Sequence, residues 1–146
     1  MSLERMFNLM AEKQASDLFF SVGSPITIKI NGVCVPINQD RLAPQAIVSL
    51  LAERLTDAHF RELEDSRELN IGLPVQGIGS FRLSAFLQRG SISAVIRFIP
   101  HDVPKLDALH LPEVLKDLIM ERRGMILVVA SAGSGKSTTI ASMLDQ

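Results

Sequence analysis

Four residues in the last twenty of the chain have the types and spacing that bind phosphate. Gly133 precedes Gly135, Lys136 and Ser137, which follow one another directly. Backbone N–H groups of such a loop can turn inward toward an anion, and the positive end of a following helix adds to the attraction. The lysine reaches the β- and γ-phosphates of a nucleotide, while the serine hydroxyl binds Mg²⁺. The pattern therefore predicts a nucleotide-binding P-loop with Lys136 as a catalytic residue.

One position departs from the full P-loop motif. Ala130 stands where that motif begins with glycine. Because anion capture depends mainly on the later residues, we expect binding to survive. The alternative is a tight turn between a strand and a helix that binds nothing. The residues predicted to bind the nucleotide, with Ser137 also the metal ligand, are Ala132, Gly133, Ser134, Gly135, Lys136, Ser137 and Thr138.

A strand and a helix must position this loop. Residues 125–130, an apolar run rich in branched side chains, predict a buried parallel strand. After the loop, Ile140, Met143 and Leu144 share one face of a predicted helix. Before the strand, the sequence predicts a helix that starts at Pro112 and ends at Gly124.

Two arginines form a second candidate site on a predicted hairpin. Apolar residues alternate on both sides of Arg89-Gly90, which predicts two strands joined by a turn. This register places Arg82 directly opposite Arg97, where like charges destabilise a strand pair. The arrangement makes sense if an anion lies between the two side chains. The alternatives are arginines splayed into solvent, or a register shifted by one residue.

The remaining elements predict an α+β fold built on an antiparallel sheet. Residues 2–13 have the spacing of an amphipathic helix, and further helices start at Pro44 and after Thr56. His59 is predicted to lie on the exposed side of the third helix. Asn31-Gly32 joins two alternating runs and predicts another hairpin, with Pro36 on an edge strand.

Composition excludes several classes of protein. Fifteen basic and sixteen acidic residues give a net charge of −1 without a basic tract, and Trp and Tyr are absent. We therefore expect no nucleic-acid binding. The longest apolar run is too short to cross a bilayer, so we expect no membrane insertion. One cysteine, Cys34, excludes an internal disulfide and fits a reducing cytoplasm.

The order of the segments suggests part of a longer protein. Residues 99–105 contain two prolines and predict an extended linker. A P-loop core needs further parallel strands and a downstream acidic residue for the metal and the attacking water. No further strand is predicted after the loop, and no acidic residue there is assigned this role. We expect this piece alone to be inactive.

Five segments in this order resemble the type IV pilus retraction ATPases of the PilT and PilU family. This family belongs to the secretion ATPase superfamily, and the PilU branch is the more similar one. The resemblance covers essentially the whole chain. The segments are residues 12–19, 23–32, 81–90, 111–118 and 133–139.

The resemblance implies a PAS-like N-terminal domain (residues 1–99), a linker or hinge (100–105) and the incomplete start of a RecA-like P-loop domain (106–146). It implies that Arg82 and Arg97 reach toward the phosphates of ATP as catalytic residues, with Mg²⁺ as the metal. Ser80 stands where relatives often carry another arginine. The acidic metal-site residues and the histidine motif of the family cannot be assigned in this sequence.

The implied parent protein is a hexameric motor ATPase that couples ATP hydrolysis to pilus retraction and twitching motility. It lies in the cytoplasm, at the inner membrane beneath the pilus. Its implied partners are further copies of itself, a pilus platform protein of the inner membrane and a related retraction ATPase. One alternative is a related ATPase of type II secretion or pilus assembly. Another is a non-catalytic oligomerisation or docking module with a degenerate nucleotide site, which Ala130 favours.

Overall fold

The structure, a computed structural model, describes residues 1–100, 103–131 and 134–145. The chain divides into two units, Met1–His101 and Asp102–Gln146. Part of the predicted linker, His101 and Asp102, lies outside the described residues.

The first unit contains an antiparallel sheet in the spatial order β3-β2-β1-β6-β5-β4. The pairing of β1 with β6 joins a hairpin from the start of the chain to strands that follow some seventy residues later. The strands are β1 (Asp17–Phe20), β2 (Thr27–Ile30), β3 (Val33–Pro36), β4 (Glu68–Val75), β5 (Gly79–Gln88) and β6 (Ser91–Ile99).

Three helices cover the apolar face of this sheet. They are α1 (Leu3–Glu12), α2 (Pro44–Leu51) and α3 (Asp57–Ser66). The Ser2 hydroxyl accepts the Arg5 N–H at the start of α1, as its sequence predicts. Phe7 of α1 stacks on Phe81 of β5 with ring centroids 4.1 Å apart. The fully buried side chains that form this core include Leu3, Met6, Met10, Leu18, Phe20, Ile47, Leu51, Leu63, Leu69, Leu83 and Ile96.

Two tight turns set the register of the hairpins. Asn31 and Gly32 both have positive φ, 48° and 85°, and so do Arg89 and Gly90, 51° and 77°. Positive φ at both central positions is typical of the turns whose twist matches paired strands. The predicted hairpins, the edge position of β3 and the α+β fold class are confirmed.

The second unit contains a 3₁₀ helix (Leu106–Leu109), α4 (Val114–Leu118) and α5 (Lys136–Leu144). Ser142 of α5 is buried and its hydroxyl donates to the Pro104 carbonyl at 2.5 Å. Asp107 forms a salt bridge with Lys116, and this hydrogen bond raises the pKa of the lysine ammonium. These contacts join the segment after residue 102 to α4 and α5.

Two sequence predictions for the second unit are wrong. Residues 125–130 form no strand, and Met125, Leu127 and Val129 are largely exposed, at 82%, 77% and 87%. A strand needs a neighbour for its N–H and C=O groups, and within the described part of this unit no other strand is present. The predicted helix from Pro112 to Gly124 covers only Val114–Leu118, and none of its residues is buried.

Pro74 and His59 have positions that call for explanation, and the second corrects a prediction. The strand β4 continues through Pro74 to Val75, because Pro74 lies on an edge strand that tolerates proline. His59 is half-buried rather than solvated, and its Nδ1 accepts the Thr56 N–H at 3.2 Å. The histidine therefore helps to cap α3.

Candidate functional site

The predicted phosphate-binding loop leads directly into α5. Gly135 precedes the helix with φ of 91°, a left-handed conformation that favours glycine. The Lys136 Nζ donates to the Ser131 carbonyl at 2.6 Å, and the Ser134 hydroxyl donates to the same oxygen at 2.8 Å. These two bonds fold the loop back on itself and hold the lysine ammonium beside the start of the helix.

The donors at this position fit the phosphates of a nucleotide. Since the first helical bond of the backbone runs from Thr139 N–H to Gly135 O, the N–H groups of the first turn have no partner within the helix. They belong to Lys136, Ser137 and Thr138, and the two hydroxyl residues are exposed. Ala132 and Gly133, also predicted to bind, lie outside the described residues. The described part of the loop therefore combines helix N–H donors, a cation and hydroxyl groups.

The second candidate site lies on the sheet face opposite the helices. Arg82 and Arg97 are direct partners in the pairing of β5 with β6, as the turn position predicts. Both arginines are exposed. The same cross-strand row continues through Asp17 to Lys29 of β2. Three basic side chains and one acidic side chain therefore lie in line across four neighbouring strands.

Asp17 is the buried member of this row. Only 6% of the residue is exposed, and its Oδ1 accepts the Arg97 Nε–H at 3.0 Å. Its Oδ2 accepts the hydroxyl of the neighbouring Ser16 at 2.8 Å. Both carboxylate oxygens thus have a donor. The Arg97 side chain is 66% exposed, and its bond to Asp17 uses only Nε.

The comparisons with known proteins converge on one group. The chain is 37% identical to the type IV pilus ATPase PilU of Pseudomonas aeruginosa over 144 residues, and 34% identical to the type IV pilus retraction ATPase PilT of the same organism over 145. The crystal structure of the pilus retraction motor PilT with bound ADP superposes with a TM-score of 0.85, at 34% identity over 99% of this chain. Over 99% of its own length, the chain is thus similar to the pilus ATPases PilU and PilT.

The chain spans less than half of the length of these relatives. It covers 38% of PilU, 42% of PilT and 43% of the PilT chain in the crystal structure. The coverage fits the expected piece of a longer ATPase, and the higher identity to PilU agrees with the predicted branch. No protein-family model matches the chain.

The sequence alone did not predict Asp17 and Lys29 as part of this row. Asp17 lies beside Arg97 and Lys29 lies beside Asp17, but both are reached only through the pairing of β1 with β6 and β2. The available signal was an aspartate in a short strand whose apolar neighbours, Leu18 and Phe20, point into the core. Alternation then places Asp17 on the arginine face.

No further metal site supplements the loop in the part of the chain that the structure describes. Those residues contain no group of three histidine, cysteine, aspartate or glutamate side chains that could hold an ion. The role of the Ser137 hydroxyl as a ligand of Mg²⁺ stays a prediction. No helix among the described residues is both long and apolar enough to span a bilayer.

Proposed function

We propose that the protein carrying this sequence is a motor ATPase that couples ATP hydrolysis to type IV pilus retraction and twitching motility. The proposal rests on the Lys136 ammonium, which lies beside the first turn of α5, where the backbone N–H groups have no partner within the helix. The names of PilU and PilT, and the ADP in the PilT structure, support the same chemistry.

Each candidate residue has a role that its donors fit. The Lys136 ammonium binds the β- and γ-phosphates, and the N–H groups around Gly135 surround the anion. Ser137 holds Mg²⁺ through its hydroxyl, and Ala132, Gly133, Ser134 and Thr138 complete the loop. Arg82 and Arg97 offset the negative charge that develops on the phosphates. ATP supplies the phosphoryl group that water attacks.

The chain by itself binds phosphate without hydrolysing ATP. Among its described residues no acidic cluster could hold the metal and orient the water. The full-length protein forms a homohexamer in the cytoplasm, peripheral to the inner membrane at the base of the pilus. It acts there on a platform protein of the pilus and beside a related retraction ATPase. The resemblance to the retraction ATPases supports this assembly.

One experiment compares the full-length protein with two loop variants and one control. Lys136→Ala is expected to lower kcat for ATP by about 100-fold or more, because a charged group at the transferring phosphate is lost. It should also abolish pilus retraction in cells. Lys13→Ala, which removes an exposed lysine outside the loop and the predicted hinge, should change neither. Normal retraction by Lys136→Ala would contradict the motor.

The two alternatives give different results in the same experiment. A docking module with a degenerate site retains retraction after Lys136→Ala, and only Ala130→Gly confers ATP binding on it. A motor of type II secretion or pilus assembly loses ATPase activity with Lys136→Ala, but secretion or pilus extension fails instead of retraction. In the proposed motor, wild type hydrolyses ATP and Ala130→Gly changes this little.

A further inference from the structure

We propose that Asp17 is a positioning residue for Arg97: its buried carboxylate fixes the guanidinium so that the terminal nitrogens point out of the sheet toward an anionic ligand. The inference rests on the proposed function, in which Arg97 contacts the phosphates of the nucleotide. Under this inference, the two opposed arginines, Arg82 and Arg97, have different roles in the site.

The bond between Asp17 and Arg97 uses only one of the five guanidinium donors. The Arg97 Nε donates to Asp17 Oδ1 at 3.0 Å. A guanidinium has four more N–H groups on its terminal nitrogens. Because these groups are rigidly coplanar with Nε, holding Nε also fixes their direction. With its side chain 66% exposed, Arg97 can present them as a paired fork to phosphate oxygens.

The carboxylate is itself held in place. Its second oxygen accepts the Ser16 hydroxyl at 2.8 Å, and the residue is nearly inaccessible to solvent. Asp17 is also the direct cross-strand partner of both Lys29 and Arg97. A buried carboxylate with a donor on each of its oxygens keeps its orientation. It is therefore a fixed acceptor rather than a mobile surface charge.

Asp17 also offsets a repulsion within the sheet. Arg82 and Arg97 face each other directly, and like charges at opposed positions destabilise a strand pair. The carboxylate draws Arg97 toward β1, on the side away from Arg82. Arg97 is thereby kept apart from Arg82 and ordered before any ligand arrives. Because the side chain is ordered in advance, less conformational entropy is lost when a ligand binds.

The test is a set of steady-state ATPase measurements on the full-length protein. Asp17→Ala is expected to lower kcat roughly tenfold with a smaller change in KM, because the arginine is then misplaced in the transition state. Asp17→Asn retains a neutral acceptor and should recover part of the loss. In an Arg97→Ala background, Asp17→Ala should cause no further loss of kcat. Glu68→Gln, which removes an exposed carboxylate of the same sheet, is the control.

The outcomes separate this inference from the proposed function. Wild type without ATPase activity, or Arg97→Ala with the kcat of wild type, overturns the role of Arg97 and the inference with it. A lowered kcat for Arg97→Ala beside unchanged Asp17 variants overturns the inference alone. The inference alone is also overturned if Asp17→Ala still lowers kcat in the Arg97→Ala background, since Asp17 then acts by another route. Thermal unfolding of each variant shows whether Asp17→Ala folds. If Asp17→Ala does not fold, the kinetics of Asp17→Asn provide the test. If Asp17→Asn does not fold either, Asp17 has a structural role and the positioning role is contradicted.

Discussion

At the N-terminus of α3, a single histidine takes the part that glutamate or glutamine usually plays in a capping box. The His59 Nδ1 accepts the Thr56 N–H at 3.2 Å. We expect His59→Ala to lower the free energy of unfolding by about 0.5–2 kcal/mol, since one N–H at the cap loses its acceptor. His59→Gln should recover most of this loss. Denaturant unfolding measures both, and equal stability of His59→Ala and wild type would show that the cap contributes nothing.

Some functional positions could be predicted residue by residue and others could not. The position of one turn determines that Arg82 faces Arg97, so counting along a single hairpin is enough. Asp17 and Arg97 are 80 positions apart, and their contact depends on the pairing of β1 with β6. No local pattern determines which distant strands become neighbours. The capping role of His59 was not predicted, because helical periodicity determines the direction of its Cβ but not the hydrogen bond of its ring.

Among the elements, the β5–β6 hairpin depends on its two turn residues. Gly90 has φ of 77°, and Arg89 adopts a left-handed conformation that is costly for most side chains. We expect Gly90→Ala to lower the free energy of unfolding by about 1–2 kcal/mol. Arg89→Asn should raise it slightly, since Asn-Gly favours this turn and already forms the β2–β3 turn at Asn31 and Gly32.

Gly72 supplies the matched control for the Gly90 substitution. It lies in β4 without a positive φ, and a Cβ there meets no atom within 4 Å. Gly72→Ala should therefore be neutral or mildly stabilising in the same denaturant experiment. A Gly90→Ala protein as stable as Gly72→Ala would contradict the conformational argument.

The elements of the first unit were predictable because their patterns agree with their packing. Residues 2–13 have a helical apolar stripe, and Leu3, Met6, Phe7 and Met10 are buried. For residues 125–130, composition alone predicted a strand. A strand also needs partners, and the described part of the second unit supplies none. Ile140, Met143 and Leu144 of α5 instead line an apolar cavity of 490 Å³ together with Ile119, Met120, Ile126 and Val128.

At the scale of the whole molecule, the two units differ in how much apolar surface they bury. Every residue of the main buried cluster, from Leu3 to Ile96, belongs to the first unit. In the described part of the second unit, the buried residues are Leu106 and Ser142. Burial of apolar surface is the main favourable contribution to folding. The stability of the chain therefore resides in the first unit.

We accordingly expect residues 1–100 to fold without the rest of the chain. Their thermal midpoint should lie within about 4 °C of the midpoint of the 146-residue protein, the shift that about 1 kcal/mol causes in a domain of this size. Phe7→Ala, which removes the ring stacked on Phe81, should lower the free energy of unfolding by about 3–5 kcal/mol in both lengths. Circular dichroism during heating and denaturant unfolding measure the two quantities. If residues 1–100 failed to fold, or if Phe7→Ala acted on one length only, the first unit would depend on residues beyond its own core.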